Sequence, residues 1–202
     1  MSFQPKKNPN PQGKGLVPVL ADWESTRPQE FRDRTSADLL FDWFVSALVL
    51  SAKFAFKPVV GQSYYLYLRD DDWSLSLIAP TEWSERRSTE CLARCELQPD
   101  MAWAIKPVEG VTPNATLIAS LRGRLEAFLT ELDSEAPLED ALPGYRRDIP
   151  YYARMLATAL GRTLRCSAEL HQSKDLLVQP VRQLRLAAQG QIEERLLCLA
   201  RD

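Results

Sequence analysis

The hydrophobic period of this chain changes once, and that change decides its fold class. Between Tyr64 and Ile105 apolar side chains alternate with polar ones, the repeat of strands with one buried face. From Thr112 onward they recur at helical spacing, with Leu117, Ile118, Leu121, Leu125, Phe128, Leu129 and Leu132 on one stripe. Strands followed by a run of helices predict an α+β fold. The expected architecture is a small four-stranded antiparallel β-meander packed with a hydrophobic helix, followed by a C-terminal helical bundle.

The strands are expected over 64–69, 73–78, 91–97 and 101–105. In the first, Tyr64, Leu66 and Leu68 oppose Tyr65, Tyr67 and Arg69; in the second, Trp73, Leu75 and Leu77 are the buried set and Ser74 and Ser76 the wet one. Asp70, Asp71 and Asp72 form the hairpin loop. Pro80 presets a turn that returns Trp83 over the sheet. The hydrophobic helix begins with Thr35 or Ser36 as N-cap, carries Asp38 in its first turn and ends before Pro58. Its apolar core, Trp43 to Ala52 between Asp42 and Lys53, falls short of the roughly 20 residues that span a bilayer. Apolar side chains nearly all round mark this helix as enclosed rather than membrane-crossing.

Thr112 as N-cap and Pro113 open the first C-terminal helix, which stops at Pro137. A second long helix follows Asp148 and Pro150, and a last one starts at Pro180 with Val181, Leu184, Ala188, Ile192, Leu196 and Leu199 inward. Three parts are expected: an extended or mobile arm over 1–30, a helix and sheet module over 31–110, and a helical region over 111–202 packed on the same body. The apolar patch 16–20 and Trp23 would gain by docking.

The net charge of −2 conceals a gradient. Residues 62–140 hold 7 basic and 15 acidic groups, a balance of −8, whereas 141–202 hold 10 and 6, a balance of +4. The aromatic middle is therefore an unfavourable place for a polyanion. A chain of 202 residues buries a core without staples. With Met-Ser-Phe-Gln-Pro-Lys-Lys at the start and no apolar leader, Cys91, Cys95, Cys166 and Cys198 are expected to be reduced in the cytoplasm.

The words Tyr64-Tyr65-Leu66-Tyr67, Ser76-Leu77-Ile78 with Pro80 and Glu82-Trp83, and then Leu92, Leu97, Asp100 and Trp103 resemble the signature of domain-of-unknown-function family twenty-four fifty-two. The likeness covers the sheet and the short stretch Gly15 to Pro18, about a quarter of the chain. The chain departs from the pattern at Ala79 and Ser84, where serine and glycine are expected. The family implies a fold and no activity.

No catalytic or metal constellation emerges, and no cofactor is implied. Cys91 and Cys95, four residues apart on a strand, would lie roughly 13 Å from each other, too far for one ion or a disulfide. His171 is the only histidine, and Cys166 at i−5 on a helix points away from it. Three consecutive aspartates in a turn cannot converge on one cation. Gly13-Lys14 lacks the glycines and hydroxyl of a phosphate loop.

Two surfaces are candidates for binding. Tyr65, Tyr67 and Arg69 form a face that could receive a peptide or stack bases, but the hydrophobic first helix is expected to cover it, since a sheet of this size needs a partner layer. Arg154, Arg162 and Arg165 share a flank of the second long helix. The expected function is that of a non-enzymatic protein-interaction or scaffold protein, meeting a protein partner or a second copy. The alternatives are a nucleic-acid or ribosome-associated factor that uses the basic tail with Lys6, Lys7 and Lys14, and an enzyme with a cleft between sheet and bundle.

Overall fold

The computed structural model describes residues 16–83, 89–170 and 176–198, and places helix α2 (Ser36–Ser51) at the centre of the molecule. Leu39, Leu40, Val45 and Val49 are fully enclosed, and α2 touches three helices and a strand. Its start is the expected one. The Thr35 hydroxyl accepts from the Asp38 amide while the Asp38 carboxylate accepts from the Thr35 amide, a capping box. Its end falls before Pro58, as expected, and is set at Ser51 because the Lys53 backbone leaves the helix to pair with Trp73 and Leu75.

Strands β1 (Ser63–Arg69), β2 (Asp72–Ser76), β3 (Cys91–Leu97) and β4 (Trp103–Lys106) form an antiparallel sheet in the order β2-β1-β3-β4. The α+β class and the strand number are as expected; the simple meander connection is not. The Lys53 amide donates to the Trp73 carbonyl at 2.8 Å and the Leu75 amide to the Lys53 carbonyl at 3.1 Å, so the outer edge of β2 is already occupied. Strand β3 therefore pairs with the other edge of β1. The hairpin turn is confined to Asp70 and Asp71, both at positive φ, and Asp72 belongs to β2 opposite Arg69.

Strand β2 also ends sooner than its alternation suggests. The Ser76 hydroxyl accepts from the Ile78 amide at 3.0 Å and Tyr67 donates to the Ile78 carbonyl at 2.9 Å. These two bonds turn the chain out of the sheet, and Leu77, expected inside, is 49% exposed. At the other end of the sheet, Met101 takes φ 66° in the turn after Asp100, so β4 starts at Trp103 rather than Met101.

Residues 16–25, assigned from sequence to the extended arm, form helix α1 (Leu16–Ser25), with Asp22 paired to Lys57 at 2.8 Å. Residues 1–15 of the expected arm lie outside the described residues. After the sheet come α3 (Ala115–Glu131), a single turn α4 (Leu138–Ala141), α5 (Tyr151–Leu170) and α6 (Val181–Cys198). The N-cap of α3 is Asn114 rather than Thr112: its side chain accepts from the Leu117 amide at 2.8 Å, and its amide groups hold the Thr89 carbonyl. Phe128 of α3 meets Trp43 and Phe44 of α2 at ring separations of 5.5 and 5.4 Å. One hydrophobic cluster runs from α2 through the sheet to all three long C-terminal helices.

Candidate functional site

The sheet has two unlike faces. Tyr64, Leu66, Leu68, Trp73, Leu75 and Trp103 join α2 in the core. Tyr65, Tyr67, Ser74 and Ser76 point the other way, and Tyr67, although buried, is not part of that cluster. The helix thus covers the Tyr64 face, and the expectation that it covers Tyr65 and Tyr67 is corrected. Both faces carry aromatic residues, and the side with the larger aliphatic set takes the helix.

On the second face Tyr67, Arg69, Ser74, Ser76, Trp83 and Glu90 line a cavity of about 230 Å³. Trp83 stands beside the Tyr67 phenol, as the turn at Pro80 suggested, and Pro80 itself is buried. The turn is fixed by Glu82, whose carboxylate accepts from the Ala79 amide at 3.0 Å. Burial and the neighbouring Cys91 push the Tyr67 phenol up, so it stays a neutral donor to the Ile78 carbonyl. Leu77 and Ile78, 49% and 40% exposed, extend the patch outward from the end of β2. A cavity of this kind holds a side chain rather than a whole cofactor.

The helical arginines are differently placed. Arg154 lies half-buried over Tyr145 and Tyr151, 5.7 and 5.9 Å from the ring centres, with its Nη1 donating to the Tyr145 hydroxyl. Arg165 pairs with Glu139, and Arg162 is exposed. Farther along, Arg182 and Arg185 share Asp133, and Arg195 holds Asp38 at 2.7 Å. Five of the eight described arginines of the tail, Arg146, Arg165, Arg182, Arg185 and Arg195, are thus engaged with carboxylates of the chain.

The thiols are placed by a β-bulge. The register of β1 with β3 shifts between Leu66 and Tyr67, so Cys95 pairs with Tyr64 and Cys91 with Tyr67. The two cysteines, expected on one face, lie on opposite faces because the bulge inserts a residue between them. Burial pushes the Cys91 thiol up to about 12 and the Cys95 thiol up as well, which removes the thiolate that nucleophilic chemistry requires. Among the described residues no three His, Cys, Asp or Glu side chains gather as a metal site. His171 lies outside the described residues.

A buried ionic cluster is the feature that sequence reading missed. Arg34, 2% exposed, donates from Nε to Asp42 at 2.8 Å, from Nη2 to Asp100 at 2.5 Å and from Nη1 to the Ser167 hydroxyl. Arg32 reaches the same two carboxylates at 3.2 and 3.1 Å, and Thr163 donates to the Asp100 carbonyl. Burial works against the Arg34 charge, yet its bonds to Asp42 and Asp100 prevail and hold its pKa above the ordinary value. Burial likewise raises the Asp42 carboxyl despite both arginines. Two guanidiniums balance two carboxylates, and every charge has its partners inside the cluster, so it serves as a tie between four segments.

Residues 35–122 match the family model described as Protein of unknown function (DUF2452). The match begins at the N-cap of α2, takes in the whole sheet and ends within α3, so it is wider than the signature words and leaves out the stretch Gly15 to Pro18. No curated protein and no solved structure matches the chain. No helix among the described residues is long and apolar enough to cross a membrane.

Proposed function

We propose that this chain is a cytoplasmic, non-catalytic protein-interaction module, and that its docking surface is the sheet face opposite α2. The observation that carries this reading is the composition of that face. Among the described residues the helices pack elsewhere, and the face presents Tyr67, Trp83 and Arg69 around a cavity, with Tyr65 next along β1 opposite Ser76 and with Leu77 and Ile78 exposed at its margin. Tyrosine, tryptophan and arginine are the residue types that dominate interface energetics, especially around a pocket that excludes water. A large apolar side chain of a partner would bury its surface against Trp83 and Tyr67, where each Å² contributes roughly 25 cal/mol.

The arginine flank of α5 is the competing surface, and its support is thinner: Arg154 is stacked on tyrosines and Arg165 is paired, which leaves Arg162. The same internal pairing of Arg182, Arg185 and Arg195 weakens the case for a nucleic-acid factor built on the tail. Affinity capture from the native cell tests the choice. Tyr65→Ala with Trp83→Ala should lose the partners that the unaltered chain recovers, whereas Arg154→Glu, Arg162→Glu and Arg165→Glu together should retain them. The reverse outcome would move the docking surface to α5.

A further inference from the structure

The strand register sets a row of side chains across the sheet face opposite α2. Tyr65 is opposite Ser76 on one side and Arg94 on the other, and Arg94 is opposite Lys106. The row therefore reads Ser76, Tyr65, Arg94, Lys106 from β2 to β4. Directly opposed side chains have Cβ atoms about 5 Å apart, close enough for Arg94 and Lys106 to act on one anion. Both are exposed, and among the described residues neither has a carboxylate partner, unlike Arg165, Arg182, Arg185 and Arg195. Two adjacent like charges with no carboxylate bonded to either repel each other, and an incoming carboxylate would relieve that repulsion.

Resting on the sheet face as the docking surface, we propose that its occupant is an extended acidic peptide segment of a protein partner, with an apolar side chain in the Tyr67 and Trp83 cavity and a carboxylate on Arg94 and Lys106. Neighbouring strands lie about 4.8 Å apart and residues rise about 3.3 Å along each, so the basic pair sits roughly 10 to 12 Å from the middle of the cavity. An extended peptide covers that span in about three to four residues. The face selects a short acidic segment over a polyanion. Glu90 at the cavity rim and Glu96, two residues beyond Arg94 and bonded by the Gln98 amide, flank the site. The surrounding stretch 62–140 carries 15 acidic groups against 7 basic ones. A peptide with one or two carboxylates can place them on the cations; a phosphate backbone would meet the flanking carboxylates as well.

Selection of displayed random peptides on the full chain tests the inference. The enriched sequences should carry an apolar or aromatic residue followed three or four positions later by aspartate or glutamate. The double variant Arg94→Glu with Lys106→Glu should keep its thermal midpoint, bind a labelled peptide from that selection at least about tenfold more weakly, and select basic residues in place of acidic ones. Enrichment without an acidic position, or unchanged affinity in the double variant, overturns the inference. So does tighter and steeply salt-dependent binding of a single-stranded oligouridylate, which would mark the face as one for nucleic acid. If selected peptides depend on Trp83 but not on Arg94 and Lys106, the carboxylate contact fails while the docking face stands. If they depend on none of the three, the docking face fails too.

Discussion

Arg34 sits where four segments meet, and its removal would leave Asp100, 3% exposed, and Asp42 with the largely exposed Arg32 as their cationic partner in the cluster. Breaking such a pair from one side costs about 3 to 5 kcal/mol when the remaining charge stays buried without a partner; with Arg32 still bonded to both carboxylates the lower end applies, about 3 kcal/mol. Arg34→Ala is therefore expected to lower unfolding stability in urea by that amount, far beyond an exposed change such as Arg162→Ala. Two carboxylates one turn apart on α2 should titrate with opposite sign. Asp38 is somewhat desolvated, but its bonds from Thr35 and Arg195 hold its carboxyl below the ordinary value, so its contribution is present at neutral pH and lost as the pH falls through the folded value. Burial holds Asp42 above the ordinary value, so its contribution is present in acid and lost as the pH rises. Urea midpoints of Asp38→Asn and Asp42→Asn, each compared with the unaltered chain across the acid range, should diverge in opposite directions. Thiol labelling supplies a third check: Cys198, exposed, should react in the native state, and Cys91 and Cys95 only on unfolding. None of the Arg34 cluster was legible in the sequence. Residues 34, 42, 100, 163 and 167 follow no common spacing, and an arginine in a polar segment reads as solvated until packing surrounds it.

Among the elements, local patterns were legible and distant pairings were not. The Thr35 cap, the Tyr64 to Arg69 strand and the inward row of α6 from Val181 to Leu196 all follow from periodicity and capping chemistry, Leu199 lying outside the described residues. Strand order depends on Lys53 meeting β2, a backbone contact that no side-chain pattern announces. The aromatic face was visible as an alternation, but its exposure was not, since both faces of β1 carry tyrosine. Close approach between elements is equally hidden. A Cβ on Gly161 of α5 would fall 1.9 Å from the Pro143 carbonyl oxygen, whereas one on Gly123 of α3 meets nothing within 4 Å. Alanine adds up to about 1 kcal/mol of helix propensity at either site. Gly123→Ala is expected to gain roughly that, and Gly161→Ala to lose about 1 to 3 kcal/mol because backbone must shift. Paired denaturant titrations of the two variants would show the difference in sign.

At the scale of the whole molecule, the sheet and the C-terminal helices share one hydrophobic cluster. Trp43 on α2 touches Phe128 of α3, while Trp103 on β4 touches Tyr64. Loss of the C-terminal helices would therefore uncover α2, the helix that covers the sheet's inner face, and the two parts should unfold together. Tryptophan fluorescence, which reports largely on α2 and the sheet, and far-ultraviolet circular dichroism, which reports largely on the helices, are expected to give coincident urea transitions. Two separated transitions would show that the parts are independent.

The Lys53 strap on β2 has a counterpart at the far side of the sheet, where the Trp103 amide donates to the Ser46 hydroxyl at 2.9 Å and Pro107 follows the last residue of β4. Both rims are thereby blunted, which deprives a neighbouring chain of a template for adding strands. Concentrating the protein should accordingly yield discrete particles rather than fibrils, and a visitor is left to approach this sheet from above instead of lengthening it sideways.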